Sequence, residues 1–281
     1  MSQLVQIRQR IKAIQTIKKI THAMRLISMS AHSRLKHKEE PLRLYDGSIH
    51  RLFYKATTAH PTWKSPILQT SGSDERLLVI LIGSQKGLCG SFNSTLFSLF
   101  KKKLKTYPPS THYVTIGKKA VDFMHSMNQS TVISAFPTFT NSNRSTIAHS
   151  IGQLLTTAVQ PYTKVTVVSN RLKTFFVQKP SFSTIIPLAN NEPHAQKHIP
   201  DYLWEHTPER VLEHLSHLYL ESTLEHLLFE SLFAEHAARF ISMDTATRNA
   251  ESLLEITKLR YNKLRQAKIT KELTELSGSN L

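Results

Sequence analysis

Residues 83–93, GSQKGLCGSFN, follow the apolar run LLVILI (77–82) and carry three glycines, a lysine and serines, the residue types of a phosphate-binding loop. That chemistry needs a particular order: Gly, four residues, Gly-Lys, then Ser or Thr, so that backbone amides cradle the phosphates while the lysine reaches them. Here Gly87 stands at the fourth position after Gly83, Leu88 follows it, and Lys86 precedes it. Gly87 and Gly90 give only GxxG, which is not the dinucleotide fingerprint. On these residues alone the stretch reads as a tight turn that binds no nucleotide and no other cofactor. The fifteen histidines invite a metal reading. His214 and His217 share a helix face, but no further ligand stands at a matching spacing. Cys89 has no evident base partner, and a lone turn cysteine reads as a small packing residue. There is no GxSxG elbow, and Glu251, Glu255, Glu272 and Glu275 fit a solvated helix face. No catalytic residue, metal site or cofactor site is expected.

The elements that would position these residues are uneven in length. Residues 1–40 contain neither Gly nor Pro. Leu4, Ile7, Ile11, Ile14, Ile17, Ile20, Met24, Ile27 and Ala31 recur at threes and fours, a coiled-coil seam with one phase slip near Ile14–Ile20. Pro41 is expected to kink or interrupt that helix, which can resume toward Thr58. At the other end, Thr207-Pro208-Glu209 is a helix start, and no Gly or Pro follows until Gly278. As one helix this segment would reach about 100 Å. A lone helix of that length cannot bury its apolar face; its partner is either the N-terminal helix, giving an antiparallel pair, or a second copy of the chain. Residues 244–250, DTATRNA, are small and polar where a strong zipper places leucine, which reads as a surface shaped for other proteins.

Between the helices, strands at 77–82, 112–117, 131–136, 164–170 and 175–188 alternate with helices at 91–104, 118–127 and 145–160. Such alternation implies a mostly parallel sheet with helices on its faces. The expected organisation is an N-terminal helix over 1–60, an α/β domain over 75–190, a loop over 190–200 and a C-terminal helix over 207–277.

The formal net charge of the 281 residues is +16, and residues 1–38 hold nine Lys or Arg and no acid. That balance implies an acidic partner. A basic coiled-coil nucleic-acid binder would interleave aromatics with the cations, and residues 1–40 have none. The longest apolar run, Leu77–Ile82, is far short of the roughly 20 residues of a membrane span. The N-terminus has no apolar h-region, so no secretory signal is expected. The single cysteine excludes an internal disulfide.

Against this background, IRQRIKAIQTIKKITHAMRLIS (7–28) and MDTATRNAESLLEITKLRYNKLRQAKITKELTEL (243–276) closely resemble the terminal signatures of the gamma subunits of F-type ATP synthases. KGLCGSFN (86–93), EPLRLYD (40–46) and DYLWE (201–205) fit the same family, and the resemblance runs from one terminus to the other. It implies an antiparallel coiled coil of the two terminal helices plus a Rossmann-like middle domain that binds no nucleotide. The function implied is that of a central-stalk rotor, coupling ion flow through a membrane ring of c subunits to ATP synthesis or hydrolysis in a ring of three alpha and three beta subunits.

Residue by residue, Met24 and Arg25 match positions near the acidic lever of beta, and Arg265 and Gln266 match a pair that bonds a beta loop. Tyr202, Trp204 and Glu205 match the contact with the c ring, where the family commonly has Tyr in place of Trp204. Lys86, Gly87, Leu88, Cys89, Gly90, Phe92 and Asn93 match the foot-domain motif, in the domain that meets the epsilon subunit. Lys18, Lys19, Arg25 and Arg34 would form a positive collar, and Thr245, Ala246 and Thr247 a small, polar face that does not lock against beta. Departures are Gln85 where the family has Asp, Ala31 where it commonly has Lys, and a short polar SGSNL tail. The inserted cysteine pair of plant gamma chains is missing. The resemblance implies the cytoplasmic face of a bacterial inner membrane, reached only through the c ring, and no specific nucleic acid.

Overall fold

The structure, a computed structural model, describes residues 3–63, 76–127, 131–158, 161–187 and 206–278. The elements are α1 (Gln3–Ala59), β1 (Leu77–Ile82), α2 (Phe92–Leu104), β2 (His112–Ile116), α3 (Lys118–Ser126), β3 (Val132–Phe136), α4 (Arg144–Thr156), β4 (Lys164–Thr174), β5 (Val177–Ile186) and α5 (Pro208–Gly278). The loop expected over 190–200 lies outside the described residues. The chain divides into two compact units, Met1–Ser30 with Arg239–Leu281, and Ala31–Ala238.

In the second unit the strands form one sheet of order β3-β2-β1-β4-β5. β1 pairs in parallel with β2 and β4, β2 with β3, and only β5 runs antiparallel. All six residues of β1 are buried, as befits a central parallel strand covered on both faces. Side chains alternate across the sheet. Val79, Leu81, Tyr113 and Val168 meet Leu96 and Phe100 of α2 and Ala120 and Met124 of α3. Leu78, Ile80, Val114, Val165 and Val167 meet Ile147 and Ile151 of α4 and Leu220, Leu224 and Leu228 of α5. β4 runs four residues beyond the expected end at Asn170 because it pairs with β5 as far as Thr174↔Val177.

Pro41 does not interrupt α1, which passes through it as one helix of 57 residues. Proline removes an amide and crowds the preceding turn. Here Pro41 and His37 are both exposed, so the turn that lacks the hydrogen bond stands on the solvent side of the helix.

In the first unit the chain's own two helices pair. Arg8 meets Tyr261, Lys18 meets Glu251 and Arg25 meets Asp244. Steps of ten and then seven residues up α1 match equal steps back along α5, which defines an antiparallel pair in constant register. The seam differs from the apolar one expected. After Ile14 the residues facing inward are Lys18, Thr21, Arg25 and Ser28, which hold the alternation of fours and threes without a slip. Ile17, Ile20 and Ile27 are 53%, 55% and 61% exposed, so the isoleucines that suggested the slip lie outside the seam. On α5 the matching stripe is Met243, Thr247, Ala250, Leu254 and Thr257.

Candidate functional site

The paired helices of the first unit have a seam that is apolar at Ile14, Ala250 and Leu254 and polar further along. Lys18 Nζ lies 2.8 Å from Glu251 Oε1. Arg25 Nη1 donates to Asp244 Oδ1 at 2.7 Å, and Arg248 Nη2 lies 2.7 Å from Oδ2 of the same carboxylate. The hydrogen bond from Arg25 and the nearby Arg248 charge hold the Asp244 carboxyl below the usual range. Buried between these pairs, the Thr21 and Thr247 hydroxyl oxygens are 2.9 Å apart, and Thr247 Oγ1 is also 2.7 Å from the Met243 carbonyl. Ser28 Oγ donates to the Met24 carbonyl at 2.8 Å. Polar groups at seam positions fix register at a cost in stability. Many other apolar side chains are turned outward: Ile17, Ile20, Leu26 and Ile27 on α1, and Leu253, Ile256, Leu259 and Leu273 on α5, each at least 41% exposed.

Two sequence expectations change as a result. Lys18 and Arg25 of the positive collar are engaged by Glu251 and Asp244 within the pair, while Lys19 and Arg34 are exposed. Thr247 and Ala250 are 3% and 7% exposed. These small residues face the partner helix, where their size allows close approach; Thr245 alone of the expected face is exposed and Ala246 is half-buried. Met24 is half-buried beside Arg25, and Arg265 and Gln266 are exposed. Gln266 lies 22 residues beyond Asp244 on the same helix, about 33 Å at 1.5 Å per residue, so Met24–Arg25 and Arg265–Gln266 stand at separate levels. Tyr202, Trp204 and Glu205 lie outside the described residues.

The loop after β1 sits at the point where the sheet order reverses, between β1 and β4, where doubly wound folds bind ligands. Here that point is filled by the chain itself. The Gln85 amide donates to Glu235 Oε2 of α5 at 3.2 Å, so a side-chain carboxylate takes an anion's place. The Ser84 amide donates to Asn93 Oδ1 at 3.1 Å, and Asn93 Nδ2 donates to Ser84 Oγ at 2.7 Å and to Cys89 Sγ at 3.2 Å. Gln85 Oε1 accepts from the Phe139 amide at 2.8 Å. Cys89 and Phe92 pack on Ala234 and Ala238 of α5. Gly117, at φ 86°, lies so close beneath the loop that a Cβ there would stand 2.3 Å from the Gly83 carbonyl oxygen. The motif residues Lys86, Leu88 and Gly90 are exposed, and Leu88 holds a left-handed φ of 64°, unusual for a residue with a branched side chain. Among the described residues no group of three or more His, Cys, Asp or Glu could hold a metal, and no helix is long and apolar enough to cross a membrane.

Sequence reasoning missed the charged anchors of α5 in the second unit. Arg144 Nε and Nη2 donate to Glu225 Oε1 at 3.1 and 2.8 Å, and Ser145 Oγ donates to the same oxygen at 2.8 Å. His149 Nδ1 lies 2.7 Å from Glu221 Oε1, and Arg171 Nε lies 3.2 Å from Glu230 Oε2. The partners are 59 to 81 residues apart in sequence, so no local spacing could reveal them.

A family model described as ATP synthase matches residues 3–280. The ATP synthase gamma chain of Stenotrophomonas maltophilia (strain K279a) is 30% identical over 281 residues, covering 97% of this chain and 96% of that one. That of Chlorobaculum parvum (strain DSM 263 / NCIMB 8327) is 30% identical over 288 residues, covering 98% and 97%. Among solved structures, a chain of the Euglena gracilis mitochondrial ATP synthase (OSCP/F1/c-ring, rotational state 3) matches with a TM-score of 0.67 at 16% identity, covering 98% of this chain and 93% of that one. A chain of the Tetrahymena thermophila mitochondrial ATP synthase central stalk and c ring matches with a TM-score of 0.61 at 20% identity, covering 81% and 99%. The structural matches support the fold, and the family match over nearly the whole length supports more: the chain belongs to the ATP synthase gamma chain family.

Proposed function

We propose that this chain is the rotor of an F-type ATP synthase, turning inside a ring of three alpha and three beta subunits, with its foot on the epsilon subunit and the c ring. The observation that carries the reading is the row of apolar side chains left exposed on the outside of the helix pair. A pair that buries only a narrow seam, with Ile14, Ala250 and Leu254 in it, and leaves Ile17, Ile20, Ile27, Ile256 and Leu259 more than half exposed is unfinished in water, and exposed apolar area on this scale marks an interaction surface. Inside a ring the same side chains are buried. The polar seam holds the two helices in one register, so rotation presents a defined, changing face to each beta subunit. A shaft acts on a catalytic site only through contacts that differ between its positions.

In this reading the helix segments 1–60 and 207–277 form the shaft and 75–190 the foot. Met24, Arg25, Arg265 and Gln266 face beta at two levels, and Tyr202, Trp204 and Glu205 face the c ring. Residues 86–93 belong to the foot. Because Arg25 is already paired with Asp244, it meets a beta carboxylate by sharing or exchanging that partner. The chain itself does no chemistry: Glu235 and Asn93 engage the amides of Gln85 and Ser84, where a phosphate would need them. It sits peripherally at the cytoplasmic face of a bacterial inner membrane. A nucleic-acid role gains nothing from this geometry, since two of the cations it would use are held by Glu251 and Asp244.

The test is to extract membranes with mild detergent, capture the full chain by a tag and resolve what comes with it. Alpha and beta in a three-to-three ratio, epsilon and the c subunit are expected, with ATP hydrolysis in the captured complex. Capture of the chain alone, or with nucleic acid at physiological salt, would overturn the reading.

A further inference from the structure

We infer that Glu221, Glu225 and Glu230 are positioning residues that carry torque between the α/β sheet and helix α5, as anchors against rolling of the helix. The inference rests on the rotor reading, because a torque role has meaning only in a chain that transmits rotation.

Apolar packing alone resists separation of helix and sheet but has no direction, and a helix held only by an apolar stripe is free to roll. Leu220, Leu224, Leu227 and Leu228 share a buried cluster with the sheet. At about 100° per residue, Glu221 and Glu225 fall on one edge of that stripe and Glu230 on the other. Their partners come from different elements: α4 supplies Arg144, Ser145 and His149 on the first edge, and β4 supplies Arg171 on the second. Rolling α5 either way stretches the pairs on one edge and compresses those on the other.

The Glu225 anchor is the most completely built of the three. The Arg144 and Glu225 side chains are only 11% and 22% exposed. The guanidinium holds Glu225 through two nitrogens, donates through Nη1 to Asn141 Oδ1 at 2.8 Å, and lies 5.1 Å from the centre of the Phe229 ring. All three of its nitrogens and one of its faces are thereby engaged, and a planar guanidinium held in this way resists displacement better than a point charge does. Close approach is secured one turn away, where a Cβ on Gly152 would stand 3.0 Å from Glu221 Cγ. The second edge is looser, as Arg171 and Glu230 are 46% and 31% exposed.

The test uses the whole ATP synthase in sealed vesicles, with wild type, Glu225→Gln and Glu230→Gln compared in both directions of rotation. Three quantities are read: assembled complex, ATP hydrolysis with the ion gradient dissipated, and ions moved per ATP as the opposing gradient grows. For Glu225→Gln, assembly and unloaded hydrolysis are expected to match wild type, with a loss of ions moved per ATP that deepens with load. Because the edges are loaded in opposite senses, Glu230→Gln should show a smaller loss that is greater in the other direction of rotation. Equal coupling in wild type and Glu225→Gln at every load would overturn the inference. So would losses that merely follow the amount of assembled complex, which would assign the pair to folding alone. A wild-type chain that neither assembles nor couples would instead overturn the rotor reading itself, and the anchors with it.

Discussion

The two units solve the burial problem in opposite ways. In the α/β unit the apolar residues are inside: β1 is buried along its whole length, and the ion pairs stand at the edges of an apolar stripe. In the helix pair only a narrow seam is buried, with the Thr21 and Thr247 hydroxyls in it, and Ile27, Ile256 and Leu259 are 61%, 63% and 64% exposed. Burial of apolar area is the dominant favourable term in folding, so the first arrangement stands alone and the second does not. The contrast teaches where this chain ends as a folding unit and where its assembly begins.

The comparison breaks most visibly in large-to-small substitutions. Leu228, fully buried between α5 and the sheet, should lose about 2–5 kcal/mol of stability on change to Ala. Ile256→Ala in the helix pair should stay within about 0.5 kcal/mol in the isolated chain, as surface changes do. In the assembled complex the second change should instead weaken binding to the alpha–beta ring. Denaturant melts of the free chain, paired with a subunit-exchange assay of the complex, check both halves.

A smaller effect is expected from pH. The hydrogen bond that His226 donates to Glu230, helped by the charges of Glu230 and Asp46 and opposed by burial and by Arg171, raises the pKa of His226 above its ordinary 6.5. His50 also faces this cluster, with Nε2 2.9 Å from Thr223 Oγ1 and 3.2 Å from Asp46 Oδ1. Burial alone would push the Asp46 carboxyl up, but hydrogen bonds from His50 and Ser222 outweigh it and hold the pKa low. A raised folded-state pKa gives stability that is fully present below 6.5 and lost as pH rises through the folded value. His226→Gln should therefore flatten the alkaline side of the stability profile of the α/β unit and leave the helix pair unaffected. Melts followed from below pH 6.5 upward would read this, and an unchanged alkaline slope would count against it.

The smallest effect belongs to the hydroxyl pair. Thr21 and Thr247 are both buried and face each other, and replacing both members of such a pair with apolar groups of the same shape is close to neutral. Thr21→Val with Thr247→Val should thus change the helicity and melting of the isolated chain little. Thr247→Val alone should cost more than the double change, since it leaves the Thr21 hydroxyl without that partner. A double-mutant cycle gives the coupling.

These contrasts also explain what could be read from the sequence. The strands were legible because Leu77–Ile82 is a continuous apolar run and Val165, Val167 and Val168 surround a single β-branched threonine, the pattern of strands covered on both sides. The length of α5 was legible from the absence of Gly and Pro after Pro208. The helix seam was misread beyond Ile14 because the reading followed the isoleucines, on the rule that apolar residues face the partner helix. The backbone keeps its own period instead and carries Ile17, Ile20 and Ile27 outward. That rule fails where the apolar environment is supplied by other chains. The loop at Gly83–Gly90 lacks the spacing of a phosphate cradle, but the group that accepts from its Gln85 amide, Glu235, lies 150 residues from Gln85 and has no local signature. The anchors at Glu221, Glu225 and Glu230 were hidden for the same reason.

The central claim is that the helix pair is completed by partners while the α/β unit is complete in itself. Amide hydrogen exchange on the free chain and on the whole ATP synthase tests it most directly, since exchange reports local opening segment by segment. In the free chain, residues 3–30 and 243–275 should exchange much faster than β1 and β4. In the complex those helices should gain strong protection while the two strands change little. Terminal helices as protected in the free chain as the central strands, with no gain on assembly, would contradict the account.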